Sequence, residues 1–327
     1  SGEQGRQRQL AALREVVEQY PENQQALYLL ALAEGAAGNV DGQTAALERL
    51  LELDPALPRV RRSMGVAHAL RGELAEAREQ LARAASAPSA DGDANAALAL
   101  VSDLQDESAQ VESLLQQALE AKSNIAPHVH TRLGMLYLNR GDYDRALDHL
   151  GAAKDAAGAP SAARFFYAVA LQAGGLTPEA LQALDKIASG GGPYADEAAV
   201  QMALAYALQG ETQQASQAVS RAMQAGEASA RVYTIQGYVH AQQGNYEDAL
   251  ESFRTAIRTD PGYAPARLEL GLQHISRGNL SEGLRALERY IELATNASEQ
   301  HLNEIELLKN QLEQSLDQGG NAAATEG

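Results

Sequence analysis

A small residue returns every 34 or 35 positions along this chain, at Ala31, Gly65, Ala99, Gly134, Ala168, Ala203, Gly237 and Gly271. Seven places further on a glycine follows, at Gly38, Gly72, Gly141, Gly175, Gly210, Gly244 and Gly278, with Asp106 as the exception. A period of this length is the mark of a solenoid in which one helix–turn–helix unit stacks on the next. Two helix axes approach to about 8–10 Å only where the contact residues are small. The first position therefore receives the second helix of its own unit. The glycine seven later supplies the left-handed conformation that ends the first helix. Glycines placed at a structural period are not clustered to cradle a phosphate, and this argues against an enzyme.

The other slots agree. Ahead of the small position stand Leu30, Met64, Leu98, Leu133, Tyr167, Met202 and Leu270, with Gln236 as the odd one. In the second half of each unit, Leu47, Leu81, Leu115, Leu150, Leu184, Val219, Phe253 and Leu287 keep one slot apolar throughout. Alternating large and small residues of this kind fill the seams between stacked helices.

The segment Arg231–Pro261 resembles a tetratricopeptide repeat almost in full: Tyr233 in the usual Trp slot, then Gly237, Ala249, Phe253, Ala256 and Pro261. The unit with Gly134, Gly141, Tyr143, Ala146 and Leu150 is nearly as close. The resemblance implies an all-α, right-handed α-solenoid of about eight repeats: 24–57, 58–91, 92–126, 127–160, 161–195, 196–229, 230–263 and 264–297. The unit 92–126 departs from the pattern, with Asp106 for the turn glycine and an extra residue before Pro127.

The ends differ from the middle. Residues 3–21 read as an N-terminal half repeat, an amphipathic helix with Leu10, Leu13, Val16 and Val17 on one face. Residues 298–317 read as a C-terminal capping helix with a stripe of Leu302, Ile305, Leu308, Leu312 and Leu316; a helix-to-helix dimer seam is the rival use of that stripe. Residues 318–327 are small and polar and are expected to be disordered. Ser1-Gly2 reads as a cloning remnant, so a leader or lipid anchor upstream stays open.

Lys plus Arg total 26 against 43 Asp plus Glu, a net charge of −17. Such a surface repels phosphate backbones and anionic membranes, so no nucleic-acid partner is expected. No apolar run approaches the ~20 residues that cross a bilayer, so direct membrane insertion is not expected. With no Cys there is no disulfide, thiolate chemistry or Cys-ligated zinc. The histidines suggest neither a metal site nor catalysis. His68, His240 and His274 occupy a slot three after the small position, where Tyr137 and Tyr206 also stand and where the family places a packing Tyr. His128 and His130 are two apart on a helix and point away from each other. His149 and His301 have no partner suggested by sequence. No cofactor and no catalytic residue is expected.

The resemblance implies that first helices line a concave groove for a protein or peptide partner. One residue after each small position lie Leu32, Val66, Leu100, Met135, Val169, Leu204, Tyr238 and Leu272, all apolar. Four residues earlier lie Tyr28, Arg62, Ala96, Thr131, Phe165, Val200, Thr234 and Leu268. The clamp that some relatives use for a peptide carboxylate is absent, because its Asn slots fall in the apolar row. Arg59 and Arg62, with Arg132 two units on, suggest that one end of the groove accepts an acidic segment; pairing with Asp54 and nearby Glu residues is the alternative. The expected function is a non-catalytic scaffold, with the repeats similar to those of bacterial envelope proteins in secretion, pilus or exopolysaccharide assembly, periplasmic or outer-membrane-associated. Rival readings are a self-assembling homo-oligomer, and an accessory subunit of an enzyme complex using Glu34 and Asp103.

Overall fold

A computed structural model describes residues 2–88, 92–105, 108–226, 228–295 and 297–325. Every regular element in it is a helix. In chain order these are α1 (Gly2–Gln19), α2 (Gln24–Ala36), α3 (Val40–Leu53), α4 (Pro58–Leu70), α5 (Leu74–Ala85), α6 (Gly92–Leu104), α7 (Ser108–Glu120), α8 (Ala126–Asn139) and α9 (Tyr143–Lys154). There follow α10 (Ser161–Ala173), α11 (Thr177–Gly190), α12 (Ala195–Leu208), α13 (Thr212–Gln224), α14 (Ala230–Gln242), α15 (Tyr246–Thr259), α16 (Ala264–Ser276), α17 (Leu280–Leu293) and α18 (Glu299–Thr325). The chain divides into two compact units, residues 1–167 and 168–327, each treated separately below. Asp106 lies outside the described residues.

Within unit 1 the helices pack as pairs, α2 on α3, α4 on α5, α6 on α7 and α8 on α9. In unit 2 the pairs are α12 with α13, α14 with α15 and α16 with α17. Successive pairs also touch: α4 with α6 in the first unit, α12 with α14 and α14 with α16 in the second. This is the all-α stacking of helix pairs that the period demands.

Why these residues form these elements is visible at the small positions. A Cβ added to Gly65 would stand 2.6 Å from Leu81 Cγ and 2.9 Å from the Ala77 carbonyl, across the α4–α5 contact. At Gly237 it would stand 2.6 Å from the ring of Phe253, in α15. The apolar slot of the second helix is buried every time, and Leu47, Leu81, Leu150, Leu184, Phe253 and Leu287 are sealed completely. Second helices take the strongly amphipathic role, with one stripe against the partner and the rest in solvent.

The turn glycines have a specific task. Gly72 adopts φ +77 and Gly244 φ +78, conformations costly for any residue with a Cβ. The residue after each glycine then donates its N–H back across the helix end: Glu73 to the His68 carbonyl at 3.0 Å, Asn245 to the His240 carbonyl at 2.9 Å. Those acceptors are the backbone of the Tyr/His slot. One slot thus supplies a carbonyl that closes the cap and a side chain that packs. Asn23, Asn39, Asp142 and Ser229 cap the next helices by accepting from the backbone N–H three residues on.

The terminal helices use most of their expected stripes. Val17 is buried with Leu10 and Leu13 beside it, against α2, whereas Val16 is exposed because the helix turns it away. At the other end Ile305 and Leu312 are buried, and Leu302 and Leu308 are packed with them, against α17. Four of the five stripe residues are thus packed on their own chain, as a capping helix requires. The helix also continues through residues 318–325, where a disordered tail is expected; the run Ala322–Ala324 favours helix.

The close approach at Gly237 gives a two-sided prediction. Gly237→Val drives two methyls into Phe253 and is expected to destabilise unit 2 by about 1–3 kcal/mol. Gly5→Ala lies in α1 with nothing within 4 Å. It is expected to stabilise by about 0.5–1 kcal/mol through helix propensity alone. Urea midpoints of the two variants, read by circular dichroism, should move in opposite directions.

Candidate functional site

The two rows on the first helices have different fates. The residues one after the small position stay open: Leu32, Val66 and Leu100 are 46%, 41% and 52% exposed, and Met135, Val169, Leu204, Tyr238 and Leu272 are half-buried. The residues four earlier mostly close: Ala96, Thr131, Phe165, Val200 and Thr234 are buried, while Tyr28, Arg62 and Leu268 are half-buried. The cause is rotation about the helix, since the second row lies some 40° nearer the intra-repeat contact and meets the neighbouring first helix. Thr131 and Thr234 donate their hydroxyls to the Pro127 and Ala230 carbonyls of their own helices, at 2.7 and 2.8 Å. Thr131 and Phe165 are therefore packing residues, not contact residues for a partner.

Sequence reasoning missed part of the open face. Leu70 and Leu104 are 70% and 67% exposed, one helical turn beyond Val66 and Leu100. With Leu32 they make a run of accessible apolar side chains on α2, α4 and α6. The signal was available, since the i+4 neighbour of a face residue lies on the same face.

The arginines are already engaged. Arg62 bonds Asp93 on α6 at 2.9 Å, both side chains half-buried, rather than Asp54. Arg132 is paired with Asp103. Arg59 is exposed at the start of α4. Asp93 also accepts from Ser123 Oγ at 2.7 Å and from the Asn124 N–H at 2.8 Å. Burial would raise its carboxyl, but the bonds from Ser123 and Asn124 and the Arg62 charge outweigh it and hold it below the usual range. This network ties α4 to α6 and to the turn after α7 and gives Arg62 a partner within the chain, as Asp103 separately gives one to Arg132. Glu34 and Asp103 likewise do not converge: Glu34 accepts from Arg14 at 2.8 Å and from Asn39 at 2.8 Å.

In unit 2 the same face is indented. A cavity of about 320 Å³ is walled by Leu204 and Leu208 of α12, by Arg231, Thr234, Ile235 and Tyr238 of α14, and by Tyr263 with Pro265 and Glu269 at α16. It gathers Leu204, Thr234 and Tyr238 of the expected groove set. Leu208, Arg231, Tyr263 and Glu269 were not anticipated. Glu269 is half-buried, and its carboxyl is pushed up by burial among these apolar walls.

The histidines behave as packing residues with one surprise. His68 Nδ1 lies 2.6 Å from Glu73 in its own turn, and His274 Nδ1 lies 3.3 Å from the Tyr246 hydroxyl of the preceding repeat. Tyr137, in the same slot, donates to Glu112 at 2.6 Å. The surprise is His149, whose Nδ1 sits 2.9 Å from His130 Nδ1 while its ring stacks on Tyr137. His130 stands four residues before Gly134, and His149 immediately precedes Leu150, which packs on that glycine. The repeat register brings them together although sequence distance does not suggest it. His301 meets Tyr290 edge-on. Among the described residues no group of three or more His, Asp or Glu side chains is arranged to hold a metal ion. None of the described helices is long and apolar enough to cross a membrane.

Burial lowers the pKa of both His130 and His149; for His149 the neighbouring His130 adds to this, and Asp148 and Glu112 oppose it. A base with a lowered folded pKa contributes stability that is full above its unfolded value, near 6.5, and is lost as pH falls through the folded value. The melting temperature should therefore drop between pH 7.5 and pH 5. His149→Asn should make that drop shallower, which a thermal series by circular dichroism checks.

Comparison with known proteins matches these features. Family models described as tetratricopeptide repeat match residues 9–58, 131–198 and 200–264, and others of that description match 58–83 and 240–303. Subunit 3 of the anaphase-promoting complex of Schizosaccharomyces pombe is 26% identical over 183 residues, 56% of this chain but 27% of that protein. The chain thus spans about a quarter of that relative's length. Among solved structures, a tetratricopeptide repeat protein from Parabacteroides merdae aligns with a TM-score of 0.52 at 17% identity, covering 76% of this chain and 98% of that one. Yeast Tom70 aligns at 0.54 and 13% identity, over 87% and 61%. A thermophilic protein from Thermus thermophilus aligns at 0.50 and 20% identity, over 57% and 98%. At these identities the likeness is one of fold.

Proposed function

We propose, for a chain that belongs to the tetratricopeptide repeat family, that the open face of the first helices grips an apolar stretch of a protein partner. The family makes protein–protein interaction scaffolds, and three family models of that repeat match this chain. The reading rests on one observation. Leu32, Val66, Leu70, Leu100 and Leu104 stand exposed on three consecutive first helices of unit 1, while the equivalent apolar slots of the second helices are sealed. Single exposed leucines are ordinary, but a row of them on one face marks a contact surface. The occupant would be an extended or helical segment that lays apolar anchors across successive repeats.

Placement in a bacterial envelope assembly, periplasmic or outer-membrane-associated, belongs to this reading through the resemblance of repeat composition alone. The similar proteins come from bacteria and yeasts alike.

Peptides selected from a random display library on the immobilised chain test the reading. The selected peptides should carry two or more apolar anchors. Replacing Leu100 and Leu104 together with Glu should weaken binding of the unit 1 class at least about tenfold, because truncating or charging a central anchor typically costs more than 1 kcal/mol. Gln117→Glu, on the exposed face of α7, should leave it unchanged. Equal loss in both variants, or no selection at all, would defeat the proposal.

A further inference from the structure

The cavity of unit 2 holds a feature that packing does not use. Glu269 accepts no hydrogen bond and forms no ion pair among the described residues, although Leu204, Leu208, Ile235, Tyr238 and Tyr263 wall the same space. A carboxylate so placed has lost part of its hydration and gained no counter-charge. Arg231 lines the same cavity without pairing to it. The space therefore presents an anionic group at one wall, a cationic group at another, and apolar surface between.

A second cavity, of about 390 Å³, adjoins the first through Leu208, which lines both. Its other walls include Val169, Gln172, Gln201 and Gln209. The Gln172 Oε1 atom is buried and accepts no hydrogen bond among the described residues. Gln172 thus lines the cavity with an acceptor that no described residue satisfies.

We propose that these two cavities together hold an extended protein segment whose lysine or arginine side chain enters the first and pairs with Glu269. The inference rests on the proposed scaffold function and names the chemistry of its partner. The methylene stem of such a side chain packs on Leu204, Leu208 and Tyr238 while its charged head meets the carboxylate. Gln172 takes a main-chain N–H of the same segment, and Arg231 faces a main-chain carbonyl. A free amine or an inorganic cation would satisfy Glu269 but would leave Gln172 and Arg231 unmatched. A polypeptide carries all three complements at once. The net charge of −17 draws a basic segment toward the chain at long range.

The test uses the full chain on an array of immobilised nonapeptides in which each position is scanned through all residues. The unaltered protein should select Lys or Arg at one position, with an apolar residue two to four places away. The best peptide is then measured by fluorescence anisotropy in four combinations: unaltered chain or Glu269→Gln, with its basic residue kept or replaced by norleucine. Glu269→Gln should weaken the basic peptide by about tenfold or more and leave the norleucine peptide unaffected. Its melting temperature should be equal or higher, since the carboxylate is unpartnered. Basic selection that persists in Glu269→Gln would overturn the inference. Apolar selection without a basic preference would overturn it too, yet would leave the scaffold reading standing. Selection of no peptide would remove both.

Discussion

The contact between a glycine or alanine on each first helix and a sealed Leu, Val or Phe on the second is the constraint from which the rest of the structure follows. At Gly65 and Gly237 the partner side chain already occupies the place of a Cβ, so the helices cannot separate without opening a void or close further without a clash. Two helices locked at that distance leave the first helix with a fixed orientation. One side faces its partner, an adjacent side faces the neighbouring first helix, and a third side faces outward. The face that carries Leu32, Val66 and Leu100 is what remains once the first two contacts are made.

The turn glycines serve the same geometry from the other end. Their left-handed backbone turns the chain so that the next N–H closes the cap on the carbonyl of the Tyr/His slot. That slot therefore carries two obligations, one of backbone and one of side chain. The backbone obligation is met identically by His68, Tyr137 and His240. The side chain is freer: Tyr137 reaches back to Glu112, His68 turns to Glu73, and His240 Nδ1 is buried without a partner among the described residues. A histidine in this slot is a packing choice, so its presence three times over says nothing of catalysis.

How much was legible in the sequence follows from which interactions repeat. The helix pairs, the caps and the buried slots recur every 34 or 35 residues, and eight copies make them plain. The ion pairs Arg62–Asp93 and Arg132–Asp103 and the histidine pair 130–149 each occur once, so no period announces them. They depend on side-chain direction, which shifts a contact off the repeat register. The groove set divides into buried and open residues for the same reason. Some 40° of helix rotation separates Thr131, which is buried, from Met135, which is half-buried in the open row, and a pattern of apolar and polar letters does not resolve that angle.

Unit 2 shows what the repeat leaves for function to modify. Every wall of its cavity except Glu269 and Arg231 is apolar or weakly polar, and stacking alone has no need of either charge. An apolar residue at position 269 would pack the same wall with no desolvated carboxylate to accommodate, and replacing buried charge by apolar groups is commonly neutral or stabilising. The helix would form equally well, since Leu matches Glu in helix propensity. Retaining the acid thus works against stability at a place where the fold offers an easier choice. Fold-level demands account for the glycines, the caps and the sealed leucines. They do not account for Glu269, and a group that a fold carries against its own stability is best explained by what it meets from outside.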